Sequence, residues 1–544
     1  MKKFLPYLVC IASGTALGFV LDGELEGNSA WFALVPLMLF SRFNRPGIAA
    51  RHGFAFAFPM WIVSLRWLLE LRHNGGPLFL VLPALLALSA YCAAYTALFA
   101  AFVSKTHSVF TSRFGAVGAA CLHASGWCGG EYIRFNLLSG FAWNALGVAQ
   151  IANLPIIQVA ALGGVYAVSF IVVLFNAAIA GVAVRMWRNI RKPGSESRRH
   201  FDLMTALAVV LVASVWGSKR ANKMNAAEAA APTVSIAAMN PNVPCIFDRD
   251  RENYEIAWEN LIDNTERIVA DFAPDLIVWP ETILPLAIPT PQMMFEQIMA
   301  DFASDFGAPI LAGGMEYDDV AEYENVARGA KPLCYNSSFL FTPDGIGAFY
   351  RKQHLVPFGE YIPLDKTLVW LQNFAMTGVT CTPGAESVLI PVVAKSAPSP
   401  HPVAFISPLI CFEDTVASLS RAAARKGADI IVVQSNDAWF AGSNEARQHN
   451  NQAVFRAVET ARPVVRSSNS GMMSVISSYG RSSGEEYDTL FCQPVPILRD
   501  FSPTLYTRCG DWIFGIPCAI LFCVSLFMKM RSRGGNLPPE LPNF

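Results

Sequence analysis

Charge is scarce in this chain. Asp, Glu, Lys and Arg make up 15% of its 544 residues, against about a quarter in an ordinary soluble domain. The 41 basic and 42 acidic residues leave a net charge of −1. No basic stripe with interleaved aromatics occurs, which argues against a nucleic acid partner. The twelve cysteines contain no CxxC pair, and no His/Cys spacing is of the zinc type, so no metal site is expected. Internal repeats and low-complexity tracts are also missing, which argues against a repeat architecture.

Apolar residues are what the chain has in excess. They form 53% of it, with a mean hydropathy of +0.35. Nearly charge-free runs lie at about 4–21, 29–41, 53–70, 78–104, 114–130, 155–184, 203–217 and 512–529. A helix needs about twenty apolar residues to cross a bilayer. The pattern predicts about eight spans, with 29–41, 114–130 and 203–217 short or interrupted.

Lys and Arg mark the cytoplasmic side of such spans. Lys2 and Lys3 precede the first run, Arg42, Arg45 and Arg51 follow the second, and Lys105 and Arg113 follow the fourth. Arg185, Arg188, Arg191, Lys192, Arg198 and Arg199 crowd the link between the sixth and seventh, and Lys529, Arg531 and Arg533 follow the last. With eight spans and both termini cytoplasmic, every cluster falls on one side. The first run lacks a convincing small-residue cleavage site, so a retained helix is expected and not a signal peptide. The organisation is a membrane domain over 1–218, an outside domain over 219–508, and a last helix with a cytoplasmic tail over 509–544.

Six cysteines (Cys10, Cys92, Cys121, Cys128, Cys518 and Cys523) sit in the apolar runs. The others (Cys245, Cys334, Cys381, Cys411, Cys492 and Cys509) fall in the outside segment, an oxidising place. One or two disulfides are expected among the five other than Cys411. Spacing does not fix the pairs.

Between 233 and 480 the pattern changes. Candidate strands at 233–239, 275–281, 309–314, 335–342, 402–411, 429–436 and 463–469 alternate with candidate helices at about 249–271, 291–305, 414–426 and 445–460. Strands interleaved with helices imply an α/β fold around a buried sheet.

Four polar features interrupt the apolar strand logic. Glu281 ends DLIVWPE; Lys352 lies in FYRKQHLVPFGEYIPL with Glu360 eight residues on; Cys411 and Glu413 end PVAFISPLICFED; Asn436 and Asp437 end the next strand in QSNDAWF. Each has an ordinary alternative: a helix cap for Glu281, a solvated charge for Lys352, a turn for Asp437, a small core residue for Cys411. Together, acid, base and thiol at strand ends describe an active-site rim. A thiol with a pKa near 8.5 is mostly protonated at neutral pH, so a nucleophilic cysteine needs a base or a nearby cation. Glu281 can take the proton, and Lys352 can stabilise an oxyanion. His354 and His449 are the histidines near these motifs, and neither shows an acid partner in sequence, which makes a Cys–His arrangement the weaker reading.

WPE at 279–281, the lysine of RKQHLVPFGEYIPL and the cysteine of ICFED resemble the Glu–Lys–Cys triad of the nitrilase (carbon–nitrogen hydrolase) superfamily. The strings HLVPFGEYIPL and SNDAWF, between the last two membrane helices, are similar to the apolipoprotein N-acyltransferase family within it. The resemblance implies an αββα nitrilase-like sandwich on a polytopic α-helical membrane domain. It implies a multi-pass bacterial inner-membrane enzyme with a periplasmic catalytic domain, acting as a monomer without a cofactor. The acyl donor would be a phospholipid, and the acceptor the α-amino group of the S-diacylglyceryl cysteine that begins an apolipoprotein. Glu281 would be the base, Lys352 the oxyanion partner and Cys411 the nucleophile, with Glu360 and Glu413 as further acidic positions. A membrane-tethered amidase that uses water as acceptor shares the triad.

Two departures from the family pattern concern the substrate. Phe412 stands where a tyrosine is usual, and NPNVPCIFDRD (240–250) has no tryptophan, with Phe247 as its replacement. The apolar segment 365–378 reads either as core or as a lid that guides acyl chains, and Trp439 and Phe440 can line the same path.

Overall fold

A computed structural model describes residues 4–74, 76–107, 115–194, 200–243, 251–284, 292–317, 333–363, 380–395, 403–484, 490–499 and 501–527. The chain forms two compact units, one of Met1–Leu69, Leu78–Lys223 and Thr504–Phe544, the other of Glu70–Pro77 and Met224–Pro503.

The first unit is helical. Leu5–Asp22, Leu78–Thr106, Val165–Arg191, Phe201–Ala230 and Leu505–Phe527 are long and apolar enough to cross a membrane, and Pro46–Ser64 with the bent continuation Arg66–His73 makes a sixth. Among the described residues the count is therefore five or six, not the eight expected. The run at 29–41 breaks into Ala30–Ala33 and Val35–Phe43, with Pro36 in the first turn of the second. Nine helical residues reach only about 14 Å. Gly115–Asn136 forms a 22-residue helix, but His123, Glu131 and Arg134 make it too polar to qualify. Those polar groups are buried within the bundle. Glu131 accepts from Trp127 Nε1 (2.8 Å) and the Leu146 amide (2.7 Å), and Arg134 donates to the carbonyls of Phe141 and Trp143. Close helix packing depends on small residues: a Cβ on Gly14 would meet the Phe56 carbonyl oxygen at 1.8 Å.

The second unit is a sandwich of two six-stranded sheets. The first orders β12-β1-β2-β3-β4-β5, where β1 is Thr233–Met239, β2 Leu276–Val278, β3 Ile310–Tyr317, β4 Cys334–Thr342, β5 Gly345–Arg351 and β12 Leu490–Pro496. The second orders β11-β10-β9-β8-β7-β6, with β6 Ile390–Val392, β7 Ala404–Ile410, β8 Ile430–Asn436, β9 Val464–Asn469, β10 Ser474–Ile476 and β11 Ser482–Ser483. Neighbouring strands β1, β2 and β3 run parallel, as do β7, β8 and β9, and the outer pairs are antiparallel.

Strand side chains alternate between faces, and both faces of the central strands are apolar, as expected of buried parallel strands. Val234, Ile236, Ala238, Leu276 and Val278 meet Ile406, Ile430, Val432 and Val465 between the sheets. Ala237, Met239, Ile277 and Trp279 point the other way, onto helices Arg251–Phe272 and Gln292–Asp305 through Leu261, Ile268, Met299 and Ala303. Helices Ala417–Lys426 and Glu445–Thr460 belong to the second sheet. The result is the αββα sandwich that the resemblance implied. Polar ties cross the interior: Gln434 Nε2 donates to the Trp279 carbonyl (2.6 Å), and Ser467 Oγ to those of Met239 (2.9 Å) and Val278 (3.1 Å).

Candidate active site

The parallel strands end at one edge, where an α/β protein ordinarily binds its ligand. Glu281 follows β2 by three residues, Cys411 follows β7 directly, Asn436 ends β8 and Asn469 ends β9. Lys352 follows β5 directly. Gly313 makes room for the Glu281 turn, since a Cβ there would lie 2.6 Å from the Glu281 Cα.

Lys352 is buried between two carboxylates. Its Nζ lies 2.9 Å from Glu360 Oε1 and 3.3 Å from Glu281 Oε1. Asn336, on β4, bridges the same two groups, with Nδ2 donating to Glu281 Oε1 (2.7 Å) and Glu360 Oε1 (2.7 Å). The second oxygen of Glu360 accepts from the Val356 amide (2.8 Å). Burial raises the Glu281 carboxyl, and Glu360 adds to this against the pull of Lys352. Burial draws the Lys352 ammonium down, but Glu281 and Glu360 outweigh it and hold it well above its ordinary value. Asn336 was not legible as a site residue, because an asparagine inside an apolar strand (YNSSFLFT) carries no spacing signal of its own.

Cys411 opens a 3₁₀ turn, Cys411–Thr415, with φ of 51°. A non-glycine residue in the left-handed region is held there by its surroundings. Glu413 supplies much of that hold. It is fully buried and accepts from the amides of Ile410 (2.8 Å), Gln353 (2.6 Å) and His354 (3.0 Å) and from the Tyr350 hydroxyl (2.8 and 2.9 Å). One carboxyl thus ties the cysteine turn to the lysine loop. Burial lifts this carboxyl to about 7, against the amide donors that favour its ionised form. Burial also pushes the Cys411 thiol well above its usual value, with Glu281 and Asp437 adding to the rise and Lys352 and Ser435 opposing it. The resting thiol is protonated and needs a base.

Behind the turn lies a buried charge cluster. His449 Nε2 sits 3.0 Å from Asp414 Oδ1 and 3.3 Å from the Cys411 carbonyl, and Nδ1 sits 3.1 Å from Asp437 Oδ1 and 3.5 Å from Glu445 Oε1. Arg466 pairs with Asp414 and reaches Asp437 at 3.8 Å. This corrects the expectation that His449 has no acid partner. Asp414, Asp437, Glu445 and Arg466 come from four segments of the chain, so sequence proximity shows only part of the cluster. Burial works against the imidazolium, but Asp414 and Asp437 raise it to about 10. Asp437, which burial would raise, is held at about 2 chiefly by His449. A histidine protonated throughout the working range has no lone pair to offer Cys411, so the base lies elsewhere.

The ligand atoms of Asp437, Glu445 and His449 lie within 4.8 Å of one another, a spacing a cation can use. The cluster is already balanced, however. His449 and Arg466 lie against Asp414 and Asp437, and burial, with Asp437 adding to it, raises the Glu445 carboxyl well above its ordinary value.

His449→Gln is expected to cost about 3–5 kcal/mol, the usual price of leaving buried charge uncompensated. Because the folded imidazole is raised from 6.5 to about 10, its contribution is complete below pH 6.5 and disappears as pH rises through 10. Thermal unfolding of the two proteins between about pH 6 and 10 checks this: the difference should shrink with rising pH.

Of the remaining expected positions, Asn436 lies beside the Glu281 turn, with Nδ2 3.5 Å from Thr282 Oγ1 and Oδ1 accepting from Asn469 Nδ2 (3.0 Å). Trp439 is half-buried, and its carbonyl accepts from Asn74 Nδ2 (2.7 Å). Phe412 stacks on the His354 ring at 5.9 Å. Phe247, Cys245 and the segment 365–378 lie outside the described residues.

Two family models match this chain. The apolipoprotein N-acyltransferase N-terminal domain covers residues 27–178, and carbon-nitrogen hydrolase covers 233–484. An apolipoprotein N-acyltransferase of Geobacter metallireducens is 30% identical over 97% of this chain and 96% of its own length. The chain belongs to the apolipoprotein N-acyltransferase family. Family members from Chromobacterium violaceum (27% identical, 95% of each chain) and Pseudomonas syringae pv. tomato (28%, 96% of this chain and 98% of that one) match over the same extent. As a member of this acyltransferase family, it is an enzyme and a multi-pass membrane protein. Its carbon-nitrogen hydrolase segment contains Glu281, Lys352, Glu360, Cys411, Glu413, Asn436, Trp439 and His449.

Proposed function

We propose that this enzyme moves an acyl chain from a phospholipid to the α-amino group of the S-diacylglyceryl cysteine that begins an apolipoprotein, through a thioester on Cys411. The observation that carries the reading is the meeting of Glu281, Lys352 and Glu360 through Asn336 at the strand edge that bears Cys411, on a chain with membrane helices.

In the first half-reaction Glu281 removes the thiol proton as Sγ attacks the ester carbonyl carbon. Lys352 offsets the charge that develops on the carbonyl oxygen. The C–O bond breaks, Glu281 returns the proton to the leaving oxygen, and lysophospholipid departs. In the second half the lipoprotein amine attacks the thioester and gives a proton to Glu281. The C–S bond breaks, and the thiolate recovers that proton. Glu360 keeps Lys352 in place, and Glu413 fixes the nucleophile's turn. Asn436 and Trp439 border the substrate path. The thioester survives between halves if water is kept out, since it reacts readily with amines.

The distribution of Lys and Arg supports an outside, periplasmic position for the catalytic unit. Arg42, Arg185 and Arg188 lie within electrostatic range of one another in the membrane unit, as residues on one membrane face would.

The pH profile follows from Glu281. Catalysis requires its ionised form, and burial raises its pKa above the ordinary value, near 4.3 for a free glutamate. Activity should therefore be lost as pH falls through a limb above 4.3. No alkaline limb from Lys352 should appear below about pH 10, because its pKa is raised. Measuring kcat/KM over this range checks both limbs; a fall in activity from pH 6 to 8 would contradict the assignment.

The acceptor is tested with purified enzyme, phospholipid vesicles and a diacylglyceryl lipopeptide. The expected product is N-acylated lipopeptide in amounts equal to lysophospholipid. Free fatty acid formed at the same rate with and without lipopeptide would show water as the acceptor and overturn the reading.

A further inference from the structure

Five cysteines outside Cys411 were left unpaired by the sequence, and the fold brings two of them together. Cys334 opens β4, and Cys381 lies 47 positions later in a loop, yet the two form a parallel β-bridge. The Thr382 amide donates to the Cys334 carbonyl (2.6 Å), fixing the register. Both side chains are buried, in one small apolar cluster with Leu355. Neighbouring strands lie about 4.8 Å apart, inside the Cα separation that a disulfide accepts, about 4.4–6.8 Å. The two thiols also share a hydrogen bond.

We infer that Cys334 and Cys381 form a disulfide that clamps the Glu360 turn to the Asn336 strand. This rests on the outside orientation proposed above. Both are thiols in the structure, so the bond must be made by oxidation. A protein disulfide of an external thiol oxidant supplies it. One cysteine thiolate attacks that disulfide, giving a mixed disulfide. The second thiolate displaces the oxidant, which leaves as a dithiol carrying the two electrons and the two protons of the cysteines. The hydrogen bond to Cys334 and burial both raise the Cys381 thiol. The exchange therefore belongs to folding, before the cluster closes.

The consequence for the site is local. Cys334 stands two residues before Asn336, and the Cys381 amide donates to the Glu360 carbonyl (2.7 Å). The bond would thus join the backbones that carry two of the groups around Lys352. Cys492 has no such neighbour in register: its thiol lies 3.2 Å from the Ser235 hydroxyl on the adjoining strand.

The test uses the full-length protein. Cells are quenched and denatured in excess N-ethylmaleimide, and the purified chain is digested without reductant for mass spectrometry. The expected result is a linked peptide pair containing Cys334 and Cys381, with Cys411 alkylated. In parallel, Asp344→Cys, on the exposed β4–β5 turn, is probed in spheroplasts with a membrane-impermeant maleimide. Labelling at 344 with both Cys334 and Cys381 alkylated would overturn the disulfide. No labelling at 344 would overturn the outside orientation instead. A Cys334→Ser/Cys381→Ser double variant should unfold on the order of 5–10 °C lower. Dithiothreitol should lower the midpoint of the parent but not that of the variant; an equal response would also overturn the disulfide.

Discussion

Cys411→Ala is expected to reduce turnover by on the order of 10⁴-fold or more, with the fold retained. No other described group can replace the thiol as acyl carrier. Glu281 and Glu360 are tied to Lys352 and Asn336, and His449 is a cation. The turn itself should survive, because Glu413 grips backbone amides on either side of it and not the thiol. Alanine meets the same φ of 51° as cysteine does, so the substitution adds little strain. Cys411→Ser separates nucleophile from geometry. A hydroxyl is far less acidic than a thiol, and an acyl-serine ester resists amines, so serine should recover little or none of the activity. Rates with phospholipid and lipopeptide, alongside thermal unfolding, check both variants.

Lys352→Met should lower kcat/KM by on the order of 10³-fold, combining a lost oxyanion partner with a misplaced base. The second effect can be separated from the first. Lys352 is the cation between Glu281 and Glu360, and without it two carboxylates face one asparagine amide. Like charges so close cannot both ionise easily. The acid limb of the pH profile should therefore move to higher pH in the variant. A lower kcat/KM with an unmoved limb would mean that Lys352 does not govern the ionisation of Glu281. Lys352→Arg keeps the charge but not the shape of the ammonium, and should leave the limb nearer its original place than methionine does.

Much of the catalytic unit was legible because its strands are buried on both faces. TVSIAAM and DIIVVQSN read as unbroken apolar runs and became β1 and β8. β5, β6, β10, β11 and β12 are not legible in this way: β6, β10 and β11 are two or three residues long, β5 carries two glycines and β12 two prolines. Helix Glu445–Thr460 was legible end to end, yet the chemistry of His449 on it was not. Its partners arrive from the Cys411 turn, the end of β8 and β9 as well as from its own helix, and spacing along the chain cannot report such a meeting. The Cys334–Cys381 bridge was hidden for the same reason.

The span count of the membrane unit is not reproduced among the described residues. Composition marks a run at 29–41 as apolar, but Pro36 and the short helices around it break the span. In Gly115–Asn136 the polar residues have internal partners, so a helix can be buried in the bundle without the uniform apolarity that a lipid-facing span requires.

The central claim is that Cys411 carries the acyl chain. Purified enzyme incubated with phospholipid and no acceptor, then digested and analysed by mass spectrometry, tests it most directly. The account predicts a Cys411 peptide heavier by one acyl group, released by hydroxylamine and discharged when lipopeptide is added. An unmodified Cys411 peptide from a preparation that N-acylates lipopeptide at its full rate would contradict it.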